Sequence, residues 1–117
     1  RQYEALLATD GTLASRLYQD ALERRGATVV LPAPADQRRV MSLIYDRVKA
    51  GVEVHPGELA TMVEELRGDA PTVLLGCTEL SVLFDQAATA GTPLPGYVVD
   101  AQDELVTRVV AELAPSS

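Results

Sequence analysis

The chain has 117 residues, nearly half of them apolar, with a net charge of −7 and a single cysteine. That length makes one domain with a core of ordinary size, and no apolar run approaches the ~20 residues of a membrane span. The acidic balance argues against a nucleic-acid partner, one Cys (Cys77) and one His (His55) make no metal-ligand set, and a lone thiol without a disulfide partner fits a reducing cytoplasm.

Residues 3–9 read as a buried strand centred on Ala5-Leu6-Leu7-Ala8, with Asp10-Gly11 as the turn after it. Leu13, Leu17, Ala21 and Leu22 then recur at helical spacing until Gly26 stops the helix. Residues 27–31 form a second apolar strand, closed by Pro32. Asp36 caps a helix that turns Val40, Leu43, Ile44 and Val48 inward and stops at Gly51. Pro56 suits the first position of a third helix, with Leu59, Met62, Val63 and Leu66 on one face and Gly68 behind it. Residues 72–75 are a third strand, and Leu80, Leu83, Phe84 and Ala87 stripe the helix that follows. Beyond a loop at 91–96, residues 97–99 are a fourth strand. Asp100 then caps a last helix with Leu105, Val109, Val110 and Leu113 inward. Pro115-Ser116-Ser117 is a loose tail, so the domain runs over residues 1–114. The start, Arg1-Gln2-Tyr3-Glu4, has no basic-then-apolar signal pattern; without an initiating Met, the expectation is a fragment or a processed chain.

Strands alternating with helices imply an α/β domain, a four-stranded parallel sheet flanked by helices in a flavodoxin-like three-layer arrangement with right-handed crossovers. In such sheets ligands bind at the carboxyl ends of the strands, where the strand order reverses. An order of 2-1-3-4 puts that crevice between strands one and three. Thr9-Asp10-Gly11-Thr12 and Gly76-Cys77-Thr78-Glu79 then face each other.

Cys77 follows an apolar strand and precedes a helix, so it meets the partial positive charge and free N–H groups of a helix N-terminus. Both favour thiolate and make it a candidate base or nucleophile. The Thr78 hydroxyl and the first-turn N–H groups beside it suit a carboxylate. Each residue also has a plainer reading. A free Cys is often a small core hydrophobe. Thr9 can be a strand end, Thr12 a helix N-cap and Asp10 a turn former. Glu79 can complement the helix dipole, His55 can be an exposed loop residue, and Tyr18 and Tyr45 can be packing residues.

The two turns also carry a resemblance. Ala8-Thr9-Asp10-Gly11-Thr12-Leu13-Ala14-Ser15, with Tyr18 a turn later, resembles the segment that opens the second domain of aspartate/glutamate racemases. Gln37 through Ile44-Tyr45 to Gly51 is similar to a Gln…Ile-Tyr…Gly stretch of the same family. Gly76-Cys77-Thr78-Glu79-Leu80 resembles its second catalytic-cysteine motif, with Glu in the aspartate-type manner where glutamate racemases usually carry His. Val99-Asp100 matches the family's strand-to-Asp ending.

The resemblance implies one half of a pseudo-symmetric two-domain isomerase that moves a proton at Cα of a small acidic amino acid without a cofactor. One cysteine thiolate removes the α-proton and a thiol on the opposite face returns one; Cys77 would be one of the pair. Thr78, with backbone amides beside Gly76, would hold a substrate carboxylate, Glu79 would meet the ammonium, and Thr9 and Thr12 would line the crevice. The only lysine, Lys49, stands late in a helix just before Gly51, a poor place for a Schiff base at the crevice. The opposing cysteine would come from an N-terminal domain absent here or from a second copy, so a homo-oligomer is expected. The alternatives are a non-catalytic carboxylate-binding or interaction domain and a one-cysteine isomerase or decarboxylase relative.

Overall fold

Four short apolar runs make the strands: β1 Gln2–Leu7, β2 Ala27–Val30, β3 Thr72–Leu75 and β4 Val98–Asp100. The structure, a computed structural model, describes residues 2–101. All strand pairs are parallel and the order is β2-β1-β3-β4, as the sequence leads one to expect. Parallel neighbours require crossovers, and helices supply them. α1 (Asp10–Ser15) and α2 (Leu17–Arg24) link β1 to β2. α3 (Pro34–Ser42), a π-helical turn (Leu43–Val48) and α4 (Pro56–Leu66) link β2 to β3, and α5 (Thr78–Thr89) links β3 to β4.

The period of two along a strand sends alternate residues to opposite faces. Ala5, Leu7, Val73 and Leu75 join Val40, Ile44, Leu59, Val63, Leu80 and Leu83 in one core between the sheet and the α3–α5 layer. Leu6 points the other way and is fully buried, beside Gly76 and the ring of Tyr18 from α2. Burying a Leu or Val of this kind contributes at most about 1.5–3 kcal/mol, so the layer holding most of them anchors the fold.

Several local expectations change. The helix expected to run unbroken to Gly26 is two helices, because Arg16 adopts a left-handed conformation (φ 58°, ψ 18°). Ser15 Oγ donates to the Thr12 carbonyl at 2.6 Å and accepts from Leu17 N–H at 3.3 Å, and the Arg16 side chain pairs with Asp20 and Glu23 at 3.0 and 2.8 Å. The break turns Leu17 outward, 65% exposed, where an inward position was expected. It also leaves Tyr18 facing Gly76. Ala33, not Asp36, is the N-cap of α3, with Pro34 in its first turn.

α3 continues into the π-helical turn, where Lys49 N–H reaches the Ile44 carbonyl and Val52 N–H the Arg47 carbonyl, both at 2.8 Å. These bonds close rings one residue wider than α-helical ones and shift the helical phase. Gly51, at φ +75°, ends the segment. α4 starts at Pro56 as expected, with His55 as an exposed N-cap: its Nδ1 accepts from Gly57 N–H at 3.1 Å, and Glu58 accepts from His55 N–H at 2.9 Å. Asp100 is the last residue of β4. The helix expected after it, with Leu105, Val109, Val110 and Leu113, and the tail lie outside the described residues.

Candidate active site

Gly76 N–H donates to the Leu7 carbonyl at 2.8 Å, one step past the last paired residues Leu7 and Leu75. The turns leaving β1 and β3 therefore start side by side at the carboxyl edge of the sheet.

In the β1–α1 turn, Thr9 is extended (ψ 160°) and caps α1. Its Oγ accepts from Thr12 N–H at 3.2 Å and donates to Thr12 Oγ at 3.0 Å. The cap is thus Thr9 rather than Thr12, and Asp10 lies in the first helical turn instead of forming a turn of its own. Gln37 of α3 holds the segment, its Nε2 donating to the Ala8 carbonyl and to Asp10 Oδ1, each at 2.9 Å.

In the β3–α5 turn, a Cβ on Gly76 would lie 3.0 and 3.1 Å from ring carbons of Tyr18 and 3.2 Å from Leu6 Cδ1, so only glycine fits. Cys77 is extended (φ −143°, ψ 136°) and stands at the N-cap of α5 without making a side-chain cap hydrogen bond. It is 8% exposed. Its thiol donates to Glu79 Oε1 at 3.4 Å, and Lys49 Nζ lies 3.7 Å from the same oxygen. Lys49 also sits over the Tyr45 ring, 4.8 Å from its centre. Thr78, the first residue of α5, is exposed.

The electrostatics run against the simplest expectation for Cys77. Burial pushes its thiol above the ordinary value; the amides of Leu80 and Glu79 oppose that rise, while the Glu79 carboxylate adds to it. Burial wins, so Cys77 rests as a thiol at neutral pH, although a helix N-terminus alone favours thiolate. Burial likewise raises the Tyr18 phenol, with the charges of Asp100 and Cys77 adding to it.

The structure thus groups Cys77, Glu79 and the amides of Thr78 onward at one helix end, and pairs Thr9 with Thr12 at the neighbouring one. It also brings in Lys49, whose position in the chain suggested a place away from the crevice. The extra π-helical residue reorients the end of the α3 segment, an effect that α-helical counting misses. The available signal was that the sole lysine follows Tyr45 by one turn. A groove between α3, the π turn and α4 is lined by Arg39, Arg47, His55 and Glu58. Its arginines are engaged by Glu65 at 2.7 Å and Glu58 at 3.1 Å, so neither is left for an anion. Among the described residues no group of three or more His, Cys, Asp or Glu can hold a metal ion, and no helix is long and apolar enough to cross a membrane.

Residues 4–109 match the family model for Asp/Glu/hydantoin racemases. The chain belongs to this racemase family. It is 35% identical over 107 residues to an uncharacterized protein of the pnlA 3′ region of Pectobacterium carotovorum subsp. carotovorum, covering 90% of this chain and 69% of that relative. It is also similar to a solved structure from Yersinia pestis, assigned as a candidate Asp/Glu racemase, with a TM-score of 0.62 and 25% identity. That likeness covers 85% of this racemase-family chain but 43% of the solved one, so the chain spans less than half the length of that relative.

Proposed function

We propose that this chain is the part of an amino-acid racemase that carries one of two opposed cysteines, acting without a cofactor on a small acidic amino acid, aspartate or glutamate. The observation that carries the reading is the Cys77 thiol aimed at Glu79 at the uncapped N-terminus of α5. The substrate carboxylate lies against the first-turn amides of α5 and the Thr78 hydroxyl, with Lys49 adding positive charge from the π-helical side. Glu79 accepts the thiol proton and is the acidic group nearest an incoming ammonium. The thiolate then takes the α-proton, and the electron pair left on Cα spreads into the carboxylate held by the helix end. A second thiol, from a further domain or a second copy, returns a proton on the opposite face.

The raised thiol supports this assignment. A base whose conjugate acid is weak abstracts more strongly once ionised, and an amino-acid Cα–H is a very weak acid. Thr9 and Thr12 line the neighbouring turn.

The test is α-proton exchange in D₂O, under reducing conditions, with L- and D-aspartate and glutamate. A chain acting with one thiol exchanges deuterium into one enantiomer without inverting it. A self-paired chain labels both and interconverts them. Both outcomes disappear in Cys77→Ser. No exchange into any of the four, with or without a partner domain, contradicts the reading. The burial of Cys77 favours one competitor, a carboxylate-binding module without catalysis; there, Cys77→Ser leaves aspartate binding intact and no exchange is seen in the parent chain.

A further inference from the structure

Behind Cys77 lies a polar pair that the proposed reaction does not use. Ser81, one turn into α5, is 4% exposed, and Asp100, at the end of β4, is 2% exposed. Ser81 Oγ stands 2.5 Å from Asp100 Oδ1 and 3.2 Å from the Cys77 carbonyl, which also accepts Ser81 N–H at 3.0 Å. A hydroxyl has one proton to give. The contact with the carboxylate is much the shorter of the two, so the hydroxyl proton goes to Asp100. The hydroxyl's orientation, and with it the first turn of α5, is thereby fixed from the neighbouring strand. A carboxylate is an expensive group to bury for packing alone, and its bond to a hydroxyl is among the stronger kinds.

We infer that Ser81 and Asp100 form a buried tether that positions Cys77, fixing against β4 the turn of α5 whose Ser81 amide holds the Cys77 carbonyl. They are positioning residues, since both are buried and the Ser81 hydroxyl is spent on Asp100. The inference rests on the reading of Cys77 as the reactive base, and its test includes a readout that needs no substrate. The charged and titratable groups around Cys77 are Glu79 on α5, Lys49 after the π turn, Tyr18 on α2 and Asp100 on β4. All but Asp100 are left intact by the variants used.

Cys77 is the sole thiol, so the pH profile of iodoacetamide alkylation, followed by mass spectrometry, reports it alone. In Ser81→Ala the alkylation midpoint moves to higher pH, because the Leu80 and Glu79 amides that oppose the effect of burial lose their alignment. The rate of α-proton exchange falls about tenfold, the equivalent of one net hydrogen bond, in kcat more than in KM. Asp100→Asn keeps an oxygen for the hydroxyl and stays near the parent; Asp100→Ala follows Ser81→Ala. Thermal melting identifies the variants that fold. A folded Ser81→Ala protein with an unmoved midpoint overturns the tether. If that variant fails to fold, identical midpoints in Asp100→Asn and Asp100→Ala overturn it. A shifted midpoint in a chain that exchanges no substrate proton keeps the tether and sinks the racemase reading.

Discussion

The turns leaving β1 and β3 are built from similar materials and used differently. Each follows an apolar strand, begins with an extended residue and opens a helix. In the first, Thr9 closes the helix end with its own hydroxyl, Thr12 completes the pair, and Gln37 ties the turn to α3. In the second, the residue at the capping position is Cys77, which leaves the end of α5 uncapped. Its thiol is directed sideways at Glu79, while the backbone is held from below by Tyr18 against Gly76 and from behind by the Ser81 amide on the Cys77 carbonyl. A self-capped helix end is a structural joint. The end of α5 has no such side-chain cap, and the Leu80 and Glu79 amides act on the Cys77 thiol instead.

That contrast is open to attack in order of expected size. Cys77→Ser lowers α-proton exchange by about 10²–10⁴-fold, whereas Thr9→Ala leaves most of it; equal losses from the two would erase the distinction. Next come the two glycines. Gly76→Ala forces a methyl onto Tyr18 and Leu6 and destabilises by about 1–3 kcal/mol. Gly11 has nothing within 4 Å of its missing Cβ and lies within α1, so Gly11→Ala stabilises by up to about 1 kcal/mol. Urea unfolding of both variants gives the signs. Thr9→Ala removes a working cap and costs about 1 kcal/mol, while Cys77→Ala removes none and costs less by the same measurement.

The smallest effect is electrostatic. The Glu79 carboxylate helps to hold the Cys77 thiol above its ordinary range, so thiolate forms late as the pH rises. Glu79→Gln removes the negative charge and moves the alkylation midpoint to lower pH. Burial is the larger cause and stays, so the midpoint remains above that of a free thiol. A midpoint that rises in this variant would show that Glu79 favours the thiolate instead.

Much of this was legible in the chain. The four strands and their parallel sheet follow from apolar runs separated by helical stripes and Gly stops, as does the position of Cys77 at a strand–helix junction. The order 2-1-3-4, on which the facing turns depend, is a supposition that the structure matches. What the sequence hid depends on one residue's backbone angle or on tertiary neighbours. Arg16 has no glycine-like signature, yet its left-handed conformation turns Leu17 outward and leaves Tyr18 against Gly76. The π-helical turn at 43–48 looks like plain helix in its apolar spacing, so the helical phase that precedes Lys49, and its place beside Glu79, were not legible. The protonation of Cys77 is likewise a competition. Helix geometry, readable from the sequence, favours thiolate; burial, a property of the folded whole, overrides it.

The most direct test of the proposed substrate site at the N-terminus of α5 is alkylation of Cys77 by iodoacetamide with and without aspartate or glutamate, against a control of matched ionic strength with succinamide-type neutral analogues. If an acidic amino acid sits on those amides beside the sulfur, the rate falls in its presence with a saturable dependence, and Lys49→Met weakens the protection. An alkylation rate indifferent to every acidic amino acid, at concentrations well into the millimolar range, would show that this helix end holds no such substrate.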